Sequence, residues 1–98
     1  MSENTSKLAV LKPESMTIYE ATELHTLFIT TLRDYEQIEV DLSNVAEIDS
    51  AGLQLMVAFK NDAKKQKVSM SFTSHSREVI DLFDMFNMTR FFGDQVVL

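Results

Sequence analysis

The 98-residue sequence contains no cysteine and no tryptophan, and only one proline and two glycines. The lack of cysteine excludes disulfides, thiolate metal sites and a cysteine nucleophile. Two glycines are too few for the glycine-rich loop with which many nucleotide-binding proteins hold phosphate. Several common kinds of metal centre and nucleotide site are therefore excluded, and we expect neither a cofactor nor a bound metal.

Long apolar runs are also missing. A membrane-spanning helix needs roughly 18–20 apolar residues, whereas the longest apolar-rich stretch, residues 53–59, is far shorter and is interrupted by Gln54. Residues 1–12 hold no apolar segment of the secretory type. We therefore expect a protein that is not inserted in a membrane and that stays in the cytoplasm.

Positive charge is scarce, because nine lysines and arginines stand against 15 aspartates and glutamates and give a net charge of −6. Such a surface repels the phosphate backbone, so we expect no nucleic-acid partner. Hydrophobic residues make up 45% of the chain, which is enough to fill a core and is not the composition of a disordered protein. The length predicts a single domain over residues 1–98.

The spacing of apolar residues predicts alternating strands and helices. Strands are predicted at residues 8–11, 16–19, 38–42, 68–72 and 96–98, and helices at residues 20–35, 49–66 and 77–86. Pro13 lacks a donor for a strand ladder, which favours a sheet edge for the first strand. The order β-β-α-β-α-β-α-β is typical of α/β folds with parallel strands and right-handed crossovers. We expect four to five strands, with the three helices covering mainly one face of the sheet.

Residues 41–53 combine a strand end, a short loop and a helix start, with the sequence Asp-Leu-Ser-Asn-Val-Ala-Glu-Ile-Asp-Ser-Ala-Gly-Leu. The first backbone N–H groups of a helix have no partner within it, and together with the helix dipole they favour an anion. The hydroxyl of Ser50 is well placed there to carry a phosphate, which brings roughly −1.5 to −2 charges. The alternative is that Asp49 or Ser50 is simply the helix N-cap, worth about 0.5–2 kcal/mol.

Gly52 falls inside the first turn of this predicted helix. Glycine costs up to about 1 kcal/mol relative to alanine at a helical position. Its presence there indicates that another group approaches the helix backbone closely.

The same segment resembles the signature of STAS domains (sulphate transporter and anti-sigma factor antagonist), which joins Asp-Leu-Ser, a valine and Ile-Asp-Ser-Ala-Gly-Leu. Ala21-Thr22-Glu23-Leu24 is similar to the start of the family's first helix, and the resemblance extends over nearly the whole chain. It implies one STAS-like α/β domain, with a mixed sheet and helices packed mainly on one side. Many members carry a glycine between the first two strands, where this chain has Glu14-Ser15.

In bacterial anti-sigma factor antagonists, a partner kinase phosphorylates the serine that corresponds to Ser50. The unphosphorylated protein binds that serine kinase, which is the anti-sigma factor, and phosphorylation releases it until a phosphatase removes the group. The resemblance therefore implies a binding protein and not an enzyme, since the kinase brings the ATP and magnesium. It implies a partner-binding surface made of Asp41, Ser43, Asn44, Asp49, Ser50, Ala51, Gly52 and Leu53.

Other functions are weighed against this hypothesis. STAS domains also occur as small, non-switching adaptor subunits on the ATPase of lipid-transporting ABC complexes, where the same helix start would be contact surface only. Some STAS domains bind nucleotides or other small ligands, but the sequence offers no glycine-rich or basic pocket for them. An enzyme is least supported, because no set of acid, base and nucleophile is apparent. His25 and His75, far apart and without cysteine, make a poor metal site.

Methionine and phenylalanine are concentrated toward the C-terminus. The cluster comprises Met70, Met85, Phe86, Met88, Phe91 and Phe92. Most of these side chains are expected in the core, and any that remain exposed would suit a binding surface, because methionine and phenylalanine adapt to partners.

Overall fold

The computed structural model describes residues 8–87. The strands are β1 Leu8–Leu11, β2 Ser15–Met16, β3 Gln37–Asp41, β4 Glu47–Ile48 and β5 Ser69–Thr73. The helices are α1 Ala21–Asp34, α2 Ser50–Lys65 and α3 Arg77–Met85. The predicted α/β class is confirmed, and the helix bounds agree with the prediction to within one residue. The strand predicted at residues 96–98 lies outside the described residues.

The strands form two small sheets with parallel pairing. One sheet has the order β1-β3-β5, and the other pairs β2 with β4. Parallel neighbours need a crossover, and the helices supply it: α1 lies in the chain between β1 and β3, and α2 between β3 and β5. β1 lies at a sheet edge, as Pro13 predicted.

The three-stranded sheet has one core-facing side. In β3, Ile38 and Val40 are buried, whereas Gln37 at the start of the strand is exposed. The strand registers align Ile38 and Val40 with residues of β1 and β5 that also lie in or against the core, namely Ala9, Leu11, Met70 and Phe72. This alternation gives β3 and β5 a core-facing side and a polar side, whereas the other side of β1 exposes Leu8 and Val10.

An aromatic stack joins the helices to this sheet. The rings of Phe28 in α1 and Phe59 in α2 stack with centroids 4.1 Å apart, and Phe59 meets Phe72 of β5 edge-on at 6.5 Å. Aromatic pairs of this kind add about 0.5–1.5 kcal/mol beyond the area they bury. Both helices are thus fixed against the sheet that positions the start of α2. Within residues 8–87, no helix combines the length and apolarity needed to cross a membrane.

The strand predicted at residues 16–19 is wrong beyond Met16. The Glu20 carboxylate accepts hydrogen bonds from the Ser15 hydroxyl at 2.8 Å, the Thr17 hydroxyl at 2.7 Å and the Thr17 N–H at 2.9 Å. These bonds fold the segment into a turn, because a side-chain acceptor competes with strand pairing for local donors. They also lower the pKa of Glu20, with the Thr17 hydroxyl as the largest cause.

The loop after β5 ends at Ser76, whose hydroxyl accepts from the Val79 N–H at 3.3 Å and caps α3. His75 precedes it, with its ring edge-on to Phe83 at a centroid distance of 5.5 Å. Both ring nitrogens are buried and have no hydrogen-bond partner in the described part of the chain. Burial favours the neutral ring and lowers the pKa of His75.

The stability of the fold is therefore expected to decrease as the pH falls below the ordinary histidine pKa of about 6.5. In that range the unfolded chain binds a proton on His75 that the folded chain excludes, so the free energy of unfolding is highest above it. Urea denaturation between about pH 7.5 and 5.5 measures this slope, well above the ordinary carboxylate pKa values. His75→Phe should flatten the slope, because it keeps an aromatic ring beside Phe83 and removes the titrating group. An unchanged slope in His75→Phe would assign the effect to another group.

Candidate functional site

Asp49 is the N-cap of α2. Its backbone is extended, with φ −130° and ψ −172°, and its Oδ1 accepts from the N–H groups of Ala51 at 3.0 Å and Gly52 at 3.2 Å. A carboxylate in this place satisfies two donors of the first turn and suits the positive end of the helix dipole. Of the two N-cap residues that the sequence allowed, the structure selects Asp49.

The second oxygen of Asp49 bonds a distant part of the chain. Its Oδ2 accepts from the Ile18 N–H at 3.0 Å, and the Asp49 N–H donates to the Met16 carbonyl oxygen at 3.4 Å. One side chain thus joins the start of α2 to the turn between β2 and α1. This contact spans 31 residues of sequence.

Gly52 lies buried against β2. A Cβ built on Gly52 would lie 1.9 Å from the Met16 carbonyl oxygen and 2.9 Å from its carbonyl carbon. No side chain fits at that distance, so only glycine allows the helix and the strand to approach this closely. The close approach predicted from the sequence is confirmed, and the approaching group is the chain's own backbone.

Ser50 is the first residue of α2, and it is exposed. Among the described residues, its hydroxyl makes no hydrogen bond, because Asp49 has taken the capping role. The N–H groups of Ala51 and Gly52 already bind Asp49. A phosphate on Ser50 would therefore find these two donors occupied and a carboxylate beside it.

The other predicted contact residues fall into two groups. Asp41, Ser43 and Asn44 end β3 and begin the next loop, where the Ser43 N–H donates to Asp41 Oδ1 at 2.9 Å. The hydroxyl and the N–H of Ser43 lower the pKa of Asp41, and Lys12 lowers it further. No hydrogen bond joins this loop to Asp49 within residues 8–87.

Two predicted contact residues lie below the surface. Gly52 is buried and Leu53 is 6% exposed, so both support the start of α2 from the core side and offer a partner almost no surface. The exposed candidates are Ser43, Asn44 and Ser50, while Asp41, Asp49 and Ala51 are half-buried. Their role in partner binding stays a prediction.

Sequence reasoning missed two exposed side chains beside Asp49. Ile18 and Tyr19 are 61% and 90% exposed, and the predicted strand had placed them in a sheet. The three polar residues that fold this turn, Ser15, Thr17 and Glu20, are the sequence signal that identifies it. An aliphatic and an aromatic side chain next to the cap enlarge the surface available to a partner.

The C-terminal cluster is divided between core and surface. Met70 packs against the core, whereas Met85 and Phe86 are 72% and 46% exposed. Met88, Phe91 and Phe92 lie outside the described residues. Met85 and Phe86 are therefore available for contact with another molecule.

Comparison with protein families gives a match that covers nearly the whole chain. A family model described as "Mlab, STAS domain" matches residues 4–97. No curated protein gives a significant match. The match includes β1 through α3 and every residue of the candidate site.

Proposed function

The chain belongs to the STAS-domain family, and from that membership we propose that it is a non-catalytic cytoplasmic protein that binds a signalling partner through the start of α2. The partner is a serine kinase that also acts as an anti-sigma factor or a similar regulator. Phosphorylation of Ser50 releases the partner, and a phosphatase restores binding. In this proposal the chain is a substrate and a ligand, with no catalytic group of its own.

The arrangement of Asp49 and Ser50 carries this proposal. Because the Asp49 carboxylate binds the N–H groups of Ala51 and Gly52, the helix start does not depend on the Ser50 hydroxyl. That hydroxyl is exposed at the first position of α2, where a kinase can reach it. Phosphoryl transfer from the ATP of the kinase would break the bond between the γ-phosphorus and the β–γ bridging oxygen, which leaves with ADP. It would form a bond between Ser50 Oγ and that phosphorus, and the hydroxyl proton would pass to a base of the kinase.

Release follows from the chemistry around Ser50. A phosphate would add roughly −1.5 to −2 charges next to Asp49, without the two N–H donors that Asp49 already holds. A partner that covers Ser50 would have to remove water from both the phosphate and the Asp49 carboxylate. This desolvation cost arises only in the complex, so it weakens binding. A difference of about 2.7 kcal/mol would weaken binding about a hundredfold.

Ser50→Ala and Ser50→Asp test the switch. Mass spectrometry of the protein from its native cells should find phosphate on Ser50, and none in Ser50→Ala. Ser50→Ala should retain the kinase, while Ser50→Asp should bind it about a hundredfold more weakly. Neither change should lower stability by more than about 0.5 kcal/mol, because Ser50 makes no side-chain bond in the described part of the chain.

Gln66→Glu is the matched control. Gln66 is exposed and is the C-cap of α2, at the opposite end of this helix from Asp49. The change adds one negative charge, as Ser50→Asp does, and should leave partner affinity unchanged. Absence of phosphate under every growth condition, together with equal binding by both Ser50 variants, would refute the switch.

The exposed side chains of Ile18 and Tyr19 favour a second candidate, a non-switching adaptor. Apolar anchors beside Asp49 can hold a partner permanently, with no chemical modification. The partner would then be the ATPase of a lipid-transporting ABC complex. Recovery of an ATPase subunit equally with Ser50→Ala and Ser50→Asp, but not with Tyr19→Ala, would favour this function.

A further inference from the structure

A groove of about 420 Å³ lies beside the candidate site, between β4 and α3. We call it the α3 groove, and its lining residues are Thr17, Ala46, Glu47, Ile48, Glu78, Asp81, Leu82 and Met85. It is continuous with the site in the chain, because Thr17 precedes Ile18 and Ile48 precedes Asp49. A partner seated on the start of α2 would therefore reach it.

α3 contributes a complete helical stripe to this groove. Glu78, Asp81, Leu82 and Met85 recur at the i, i+3, i+4 and i+7 spacing that puts residues on one side of a helix. The buried residues of α3 are others, Val79 and Phe83. α3 thus has one side in the core and a second, partly apolar side in the groove.

The charge of the groove has one sign. Glu47, Glu78 and Asp81 supply three carboxylates, and none of the described lining residues is basic. Arg77, which begins α3, is not among them. Lys60, Lys64, Lys65 and Lys67 lie in or just after the last turns of α2, at the opposite end of that helix from Asp49.

We propose that the α3 groove binds a cationic amphipathic helix of the partner protein. Apolar side chains of that helix would cover Ile48, Leu82 and Met85, and its lysines or arginines would face the three carboxylates. A helix fits because the stripe on α3 presents side chains at the spacing that helices use to pack against one another. The inference rests on the proposed function, since it names the chemistry of the partner that this surface binds.

The test uses the full chain and a synthetic probe. The probe is an amphipathic peptide of about 18 residues built from leucine and lysine, long enough to form a helix, and its counterpart carries glutamate in place of lysine. The lysine peptide should bind and shift the NMR signals of Ile48, Leu82 and Met85, and its affinity should fall as salt is added. The glutamate peptide should not bind.

Charge reversal in the groove supplies the decisive comparison. Glu78→Lys with Asp81→Lys should weaken binding of the lysine peptide at least about tenfold. Asp34→Lys with Glu36→Lys makes the same change in net charge near the C-terminal end of α1, away from the groove, and should have little effect. Equal loss in both double variants would show attraction to net charge alone and would overturn the proposal.

The proposal would also be overturned if the lysine peptide did not bind, or if it shifted NMR signals only away from the groove. It would be overturned as well if the groove signals shifted in the same way when the protein concentration was raised without peptide, because a second copy of this chain would then occupy the groove. Failure of the groove proposal can be distinguished from failure of the proposed function, because the Ser50 variants are tested for binding to the native partner and not to the peptide. A partner that is lost with Ser50→Asp but retained with the groove double variant would leave the switch standing and the groove proposal refuted.

Discussion

Replacing Gly52 by alanine is expected to lower the free energy of unfolding by about 3 kcal/mol or more, at the upper end of what overpacking costs. The added methyl group would lie 1.9 Å from the Met16 carbonyl oxygen. That oxygen belongs to the backbone, so no change of rotamer can relieve the contact. β2 and the first turn of α2 would have to separate, at a site where Asp49 bonds both.

Helix propensity alone predicts the opposite sign for this variant, because alanine is favoured over glycine in a helix by about 1 kcal/mol. Urea denaturation of Gly52→Ala, with Ser50→Ala as the control two residues away, distinguishes the two effects. Adding Met16→Ala should not restore stability, since it leaves the carbonyl oxygen in place. A Gly52→Ala protein as stable as the wild type would mean that β2 does not approach α2 this closely.

The sequence predicted the helices well because their burial is periodic. Leu24, Phe28 and Leu32 recur on one side of α1, and all three are buried. In α2 the same is true of Met56, Phe59 and Ala63. The spacing of apolar residues on one side of a helix follows from the helix repeat itself. It therefore predicts a helix from the local sequence, without knowledge of the rest of the fold.

The turn at residues 17–20 and the short strand β4 could not be found in this way. β2 and β4 have two residues each, too few for an alternating pattern. Their positions depend on the pairing of Met16 with Ile48 and on the bond between Ile18 and Asp49, which join residues about thirty positions apart in the chain. Apolar spacing does not carry that information, so it predicts a strand at Ile18 and Tyr19 and does not reveal the α3 groove. The signal for the turn lies in its polar residues, Ser15, Thr17 and Glu20.

At the start of α2, the sequence predicted where the helix begins but left open which residue caps it. An aspartate followed by a serine fits an N-cap at either residue, because both side chains accept from backbone N–H groups. The structure distinguishes them through Asp49, whose two oxygens receive three bonds. A serine hydroxyl has one oxygen, which could not accept both from the first turn of α2 and from the Ile18 N–H.

The charges of the α3 groove restrict how a phosphate at Ser50 can act. At long range, added negative charge would attract a cationic partner more strongly, in line with the carboxylates already present. Release therefore requires the partner to cover Ser50 directly, so that the cost of removing water from phosphate and Asp49 exceeds the attraction at a distance. The switch and the groove are compatible only if Ser50 lies inside the interface.

Replacing Asp49 by alanine is expected to cost about 2 kcal/mol of stability, at the upper end for loss of an N-cap. The change removes acceptors from the N–H groups of Ala51, Gly52 and Ile18 together. Asp41→Ala is the matched control, because the Asp41 carboxylate accepts from one N–H group two residues away. That variant should cost about 1 kcal/mol or less. Urea denaturation compares the two, and equal small losses would contradict the bridging role of Asp49.

Asp49→Asn separates the cap from the bridge. The amide oxygen can still accept from Ala51 and Gly52, but the amide nitrogen that replaces Oδ2 cannot accept from Ile18. Hydrogen exchange should therefore accelerate at the Ile18 amide in Asp49→Asn, and at the Ala51 and Gly52 amides as well in Asp49→Ala. If partner binding needs Ile18 and Tyr19 held beside Ser50, the Asp49→Asn change should weaken it while α2 stays capped. If hydrogen exchange at the Ile18 amide is unaltered in both variants, Asp49 stabilises the fold through the helix cap alone.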